Sequence, residues 1–445
     1  MMRERGLSEL YADDPERADA LLFGRRVGVS RRGFLQGAGL AAMGAAVGGA
    51  IPFAGNMPAG LVPAALAQAA PAAGGPDQPP VLKMDGKAGL IVLQDRPLNA
   101  ETPAHLLDDE VTPTANLFVR NNGIPPENIG DPKAWKITID GEVNRPLTLT
   151  LGELTERFRP VTYQLQLECG GNGRSAFYPE ARGNQWLIGA VGCAEWTGVP
   201  LRDVLKAAEP KPSAVYTAHY GADTHLSGDP DKPPISRGVR LPKAMDEFSI
   251  IAFQVNGEPI PLIHGGPVRV IYPGWAGSAS HKWLTRIWIR DREHDGPGMT
   301  GTSYRYPTAP IVPGSKHDGK GFAILESMPV RSVITSPANG TELPDGTRRI
   351  DLRGAAWAGD LAVRTVEVSI DYGSSWQKAD LKPPRNDYAW QRWTAQVELP
   401  THGYYEIWAR ATDQRGRTQP FQAANWNPQG YGGNAYHRVA VLVKA

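Results

Sequence analysis

In the last third of the chain, apolar side chains fall on every second position in four separate runs. Val366, Val368 and Ile370 alternate with polar residues, as do Trp393, Ala395 and Val397, then Tyr405, Ile407 and Ala409, and finally Val439, Val441 and Val443. A period of two puts one side of a segment on a core and the other in water, which a β-strand does and a helix cannot. Turn signals separate the runs, among them Asp371-Tyr372-Gly373-Ser374-Ser375-Trp376. Several short alternating strands of this kind predict an immunoglobulin-like sandwich over residues 323–445. Its expected role is structural, as a partner or dimer surface. Its tryptophans also leave carbohydrate binding conceivable, although Trp is common in sandwich cores.

The preceding region mixes strand and helix signals. Trp135 to Val143 reads as a strand, a turn and the start of a second strand. Leu151-Gly152-Glu153-Leu154 and Leu201-Arg202-Asp203-Val204-Leu205 read as short helices. Pro267 to Pro273 is a proline-bounded strand, and Trp283 to Ile289 is another. Asp291 to Gly321 is rich in Gly and Pro and shows little periodicity. There is no internal repeat. The expected fold class is therefore α+β: a mixed domain over residues 85–322, then the sandwich.

The N-terminus reads as targeting sequence. Ser30-Arg31-Arg32-Gly33-Phe34-Leu35 is a twin-arginine export signal. A weakly apolar Gly/Ala-rich run, Gly37 to Ile51, follows it, and Ala67-Gln68-Ala69 offers a small-x-small cleavage site. Residues 1–69 are thus expected to be a signal, and 70–84 a flexible linker. The destination is the periplasm, and an exported folded protein often carries a cofactor. The apolar run is too short and Gly-rich to span a bilayer comfortably, and nothing after residue 70 is long and apolar enough. A formal net charge of +1 gives no sign of nucleic-acid binding. With two cysteines and no C-x-x-C pair, the chain has neither the usual haem attachment motif nor a thiolate set for an iron–sulfur cluster.

Those cysteines are Cys169 and Cys193. Cys169 lies in Leu167-Glu168-Cys169-Gly170-Gly171-Asn172-Gly173-Arg174, where three glycines let backbone N–H groups converge and Arg174 adds a fixed positive charge. Such a setting favours a thiolate, which attacks electrophiles or binds soft metals. Two plainer readings stand beside it: a buried structural thiol, and a Cys169–Cys193 disulfide in an oxidising compartment.

From about residue 85 to its end, the chain resembles the sulfite oxidase family of molybdenum enzymes. Phe118-Val119-Arg120-Asn121-Asn122 is similar to the family's F-x-R-N-H segment, and Leu165 to Cys169, with Gly171-Asn172-Gly173-Arg174, to its cysteine loop. His264-Gly265-Gly266-Pro267-Val268-Arg269 resembles H-G-x-P-x-R, and Ser280-His281-Lys282-Trp283-Leu284 resembles the V-K-W-L segment. Asn434-Ala435-Tyr436-His437-Arg438-Val439 resembles a motif near the end of the family's dimerisation domain. The resemblance implies a mononuclear molybdenum–molybdopterin cofactor, with Cys169 as the protein thiolate on Mo. It places Arg120, Asn121, Asn122, Asp223, His264, Arg269, Ser280, His281 and Lys282 around the cofactor, the cationic ones near its phosphate. It lines the substrate pocket with Arg120 and Arg174, whose guanidinium groups suit an oxyanion.

The implied reaction is oxidation of sulfite to sulfate by oxygen-atom transfer at Mo. With no haem on this chain, a separate periplasmic c-type cytochrome is the expected acceptor, and the sandwich implies a homodimer. Two positions depart from the family pattern. Asn122 stands where the family has His, and an amide cannot become cationic. Ile235-Ser236-Arg237-Gly238-Val239 holds no Tyr where one is expected, leaving Arg237 as an alternative source of charge. Other readings are a sulfane dehydrogenase subunit of a thiosulfate-oxidising system, a related methionine-sulfoxide reductase, and a non-catalytic periplasmic binding protein. The sandwich argues against the reductase, which resembles the catalytic domain alone.

Overall fold

The computed structural model describes residues 80–445, which form one compact unit. The expected signal, its cleavage site and most of the lead-in lie outside the described residues. The end of that lead-in is already part of the fold. Leu82 N donates to Leu90 O at 2.7 Å, and Leu82 packs on the core of Leu90, Ala100 and Val119.

Besides a three-stranded sheet of Ile91–Asp95, Leu98–Glu101 and Val119–Arg120, two larger sheets carry the first part of the unit. In one, Val161–Glu168, Val191–Pro200 and Ile250–Val255 run antiparallel, with Arg269–Ile271 also paired on the last. In the other, Leu284–Arg290 lies between Lys136–Gly141, parallel to it, and Tyr216–Gly221, antiparallel. Strand Lys136–Gly141 alternates as expected, with Ile137 and Ile139 fully buried. Both expected helices form. Leu151–Arg157 begins with a capping box in which Thr150 and Glu153 exchange hydrogen bonds, satisfying two end donors. Leu201–Ala208 turns Leu201, Val204, Leu205 and Ala208, at helical spacing, into the core between the sheets. The stretch expected to be loop contributes one strand, Arg305–Pro307, which pairs with Phe322–Ile324 just beyond it. A domain cut at residue 322 therefore passes through a paired strand.

The C-terminal strands form two sheets. Arg331–Ser336, Arg349–Trp357, Gln391–Glu398 and Asp380–Leu381 make one; Thr341–Leu343, His437–Val443, Gly403–Asp413, Val363–Ser369 and Gln377–Lys378 make the other. Between them lie Val366, Val368, Trp393, Val397, Ile407, Ala409, Val439, Val441 and Val443, the inward members of the four alternating runs. The first sheet is buried on its other face as well. Val333, Ala355 and Trp357 pack there on Leu107, Val191 and Cys193. The sandwich is thus fused to the body that carries the cysteine loop.

Candidate active site

Strand Val161–Glu168 ends one residue before Cys169, and this places the thiol. Cys169 N donates to Ala190 O at 2.9 Å, and Gly277 N donates to Glu168 O at 2.6 Å, so the loop is seated between two other segments. Glu168 is pinned from the sandwich: Arg331 Nε lies 2.8 Å from its Oε1, and Trp357 Nε1 donates to its Oε2 at 2.7 Å. Asn172 Nδ2 also donates to Glu168, at 3.0 Å. Cys169 itself is 6% exposed and opens on a cleft enclosing about 850 Å³, mouth included. Both cysteines are free thiols, so the disulfide does not form. Burial pushes the Cys193 thiol up to about 12, which keeps it protonated.

The cleft collects nearly all of the residues singled out above. Arg120, Asn121, Asn122, Cys169, Asp223, His264, Arg269, Ser280, His281 and Lys282 line it. Gly265, with φ +98°, lets the chain turn against Lys282; a Cβ there would lie 2.7 Å from the lysine Cβ. Lys282 Nζ donates to Asn121 Oδ1 at 2.7 Å and to Ile263 O at 2.8 Å. Arg269 donates to His264 O at 2.8 Å and Ser280 O at 2.7 Å.

Arg174 is the exception, and its expected place in the substrate pocket is corrected. Its Nε donates to Gln429 O at 2.7 Å and its Nη1 to Asn184 O at 2.8 Å, and it is not among the lining residues. Its charge goes to tying the loop down. Arg237 is not in the cleft wall either. It is fully buried beneath Tyr304, with its guanidinium carbon 4.7 Å from the ring centroid.

The cleft does contain a tyrosine, which comes from the loop-rich stretch and not from residues 235–239. Tyr304 OH donates to Asn122 Oδ1 at 3.3 Å, and Arg120 Nη2 donates to the same oxygen at 2.7 Å. One amide oxygen therefore orients both groups. Tyr304 stands in an aperiodic segment, so no sequence pattern marks it. Lys87, just past the expected linker, does not line the cleft; its Nζ donates to Thr114 O at 2.6 Å and to Leu117 O at 2.9 Å. Burial lowers it to about 7, and it in turn acts on His264 and Lys282.

Two observations show what the cleft is built to hold. Six of its residues carry a buried polar atom with no protein partner: Asn121 Nδ2, Trp196 Nε1, Asp223 Oδ1, His264 Nε2, Arg269 Nε and Ser278 Oγ. Buried polar atoms are nearly always bonded, so a set of orphans facing one space is the imprint of a polar ligand. The cations are also crowded. Burial, then Arg269, Arg120 and Lys87, hold Lys282 well below the usual lysine range, and burial alone brings Arg269 to about 9. An anion in the cleft reverses both effects.

Residues 122–297 match the oxidoreductase molybdopterin binding domain, and residues 323–444 the Mo-co oxidoreductase dimerisation domain. Sulfite oxidase from Gallus gallus is 32% identical over 379 residues, which is 83% of this chain and 79% of that protein. The chain belongs to the sulfite oxidase family of molybdenum enzymes. An NAD(P)H nitrate reductase from Hordeum vulgare is 30% identical over 400 residues, covering 82% of this chain and 42% of the reductase. Among solved structures, the sulfane dehydrogenase SoxCD from Paracoccus pantotrophus superposes with a TM-score of 0.64 at 26% identity, over 78% of this chain and 87% of that one. The chain is thus a molybdenum oxidoreductase with a molybdopterin cofactor. The cleft fits that group: it offers a soft thiol for the metal, donors and acceptors for a heterocycle, and unpaired cations for a phosphate.

Asp223 gives a pH-dependent test of this electrostatic picture. Burial raises its carboxyl to about 6, above its unfolded value of 3.8. Between those values the folded state binds more protons, so stability falls as pH rises through that window, and the loss is complete above it. Asp223→Asn in cofactor-free protein is expected to raise the melting temperature by a few degrees at about pH 7.5 and by little at about pH 4. An equal gain at both pH values, read by thermal melts, would assign the effect to packing.

Proposed function

We propose that this protein is a sulfite dehydrogenase. It is exported to the periplasm by its twin-arginine signal, acts as a homodimer through the sandwich, and passes electrons to a separate c-type cytochrome. The balanced reaction is sulfite plus water to sulfate, two protons and two electrons, with the electrons taken one at a time by two acceptor molecules. The bound cofactor supplies the two-electron redox centre at which oxygen is transferred to sulfur.

In this reading Cys169 supplies the thiolate to Mo. Asn121, Asp223, His264, Arg269, Ser280, His281 and Lys282 hold the pterin and its phosphate. Arg120 holds the substrate oxyanion, since a planar guanidinium donates two aligned hydrogen bonds. Tyr304 and Asn122 complete the wall beside it. The observation that carries the reading is the pairing of Cys169 with Arg120: a buried thiol and a guanidinium line one cleft. Positive charge placed before the reaction stabilises oxyanions without reorganising at the moment of transfer.

The test is sulfite-dependent reduction of cytochrome c or ferricyanide by the purified exported protein, with Mo determined on the same samples. Cys169→Ala is expected to lose turnover by more than about 100-fold, the range already seen when only an outer partner of a metal ligand is removed. Mo bound without sulfite turnover would favour a second reading, a sulfane dehydrogenase acting on carrier-bound sulfur. The likeness to SoxCD supports that alternative, as does the diversion of Arg174, which leaves fewer cations for a doubly charged substrate.

A further inference from the structure

Tyr304 is held in an unusual way. Its φ is +48°, a left-handed conformation that bulky side chains rarely adopt unless their surroundings impose it. It is one of four groups in contact in series. Arg237 lies 4.7 Å beneath the Tyr304 ring. Tyr431 stacks on Tyr304, its centroid 5.1 Å from that of Tyr304 and the rings only 16° from parallel. Arg174 closes the stack, 5.6 Å from the Tyr431 centroid. Both arginines bond to backbone carbonyls, so their charge is left to the ring faces.

Tyr431 comes from the C-terminal module, on a segment clamped to the cysteine loop. Gly432 N donates to Gly170 O at 3.0 Å, and Arg174 Nε donates to Gln429 O at 2.7 Å. Asn427 grips Tyr431 from both sides, accepting from its N at 2.9 Å and donating to its O at 3.0 Å.

We infer that Tyr431 is a positioning residue for the active site: the C-terminal module sets the place of the Tyr304 hydroxyl through this stack. Tyr431 does not line the cleft; it meets the lining residue Tyr304 by ring stacking and packs in one cluster with Ile235. Tyr431 reaches Tyr304 in two ways, through its stacked ring and through a hydrogen bond from the Tyr304 backbone to its hydroxyl.

The inference deepens the sulfite reading in its kinetic consequence and is independent of it in its structural one, and the experiment has an arm for each. In the kinetic arm, Tyr431→Leu is expected to lower kcat/KM for sulfite by about 10- to 100-fold, the scale of a small misplacement at a reacting centre. Mo content should be unchanged, and Tyr431→Phe, which keeps the ring and loses only the hydrogen bond to the Tyr304 backbone, should lose less than Tyr431→Leu. In the structural arm, 3-fluorotyrosine is placed at position 304 of the full-length holoprotein and read by fluorine NMR. The wild-type resonance should be displaced by the neighbouring ring, and Tyr431→Leu should move and broaden it, whatever the substrate. A wild-type resonance at the random-coil position overturns the inference without any variant. So does Tyr431→Leu with wild-type kinetics and spectrum. Wild-type protein that shows the displaced resonance but does not oxidise sulfite overturns the functional reading and leaves the stack standing.

Discussion

Replacing Arg331 by methionine is expected to destabilise the protein by about 3–5 kcal/mol, the cost of leaving a buried charge without its partner. Arg331 and Glu168 are each 1% exposed at the side chain and 2.8 Å apart. The guanidinium also donates to Asn172 O at 3.0 Å and to Gly433 O. Arg331→Met would therefore leave a carboxylate in the interior with only Trp357 and Asn172 as donors, directly beside Cys169. The shift should be visible in the urea midpoint of both cofactor-free and loaded protein. The double variant Glu168→Leu/Arg331→Met should recover much of it, because removing both charges also removes their desolvation cost. If the double variant is as unstable as the single one, packing and not charge is what the pair contributes. A fall in Mo content in Arg331→Met, beyond what lost stability explains, would show that the sandwich also sets the geometry of the thiol.

Arg120→Met is the second large effect. On the sulfite reading it should lower kcat/KM by about 100- to 1000-fold, the range for losing one preorganised oxyanion donor. The fold should survive, because Arg120 is a lining residue whose partners are the side-chain oxygens of Asn99 and Asn122 and the carbonyl of its neighbour Asn121. Arg174→Met is the informative contrast. The family resemblance implies Arg174 beside Arg120 as a second substrate cation, which predicts a similar kinetic loss. The structure spends it on Gln429 and Asn184, so the variant should lose stability before it loses affinity for sulfite. Steady-state kinetics and thermal melts on the same samples separate the two. A pure KM effect in Arg174→Met, with an unchanged melt, would restore it to the pocket.

How far each part could be read depended on how local its signal was. The sandwich was legible because its inward residues, from Val366 to Val443, repeat with the period of a strand that has one wet face. The segments around Val333, Ala355 and Trp357 were less so. They are buried on both faces, and a strand with no wet side loses its alternation. The cleft residues were legible in clusters: Arg120 to Asn122, Cys169, His264 to Arg269 and Ser280 to Lys282 are short motifs in which neighbours in sequence serve one ligand. Tyr304 carried no such signal, since it reaches the cleft from an aperiodic loop and is oriented by Asn122, 182 positions away.

The alternating strands and the thiol were thus legible in side-chain type and short spacing, and most of the cationic residues of the cleft in motifs that resemble the family's. Which arginine faces the cleft, which tyrosine does, and that the C-terminal module clamps the cysteine loop were decided only by the tertiary structure. Arg174 shows the reason. A guanidinium beside a glycine-rich loop has the same local sequence whether it points at a ligand or at a carbonyl, and Gln429, the residue whose carbonyl takes it, lies 255 positions away.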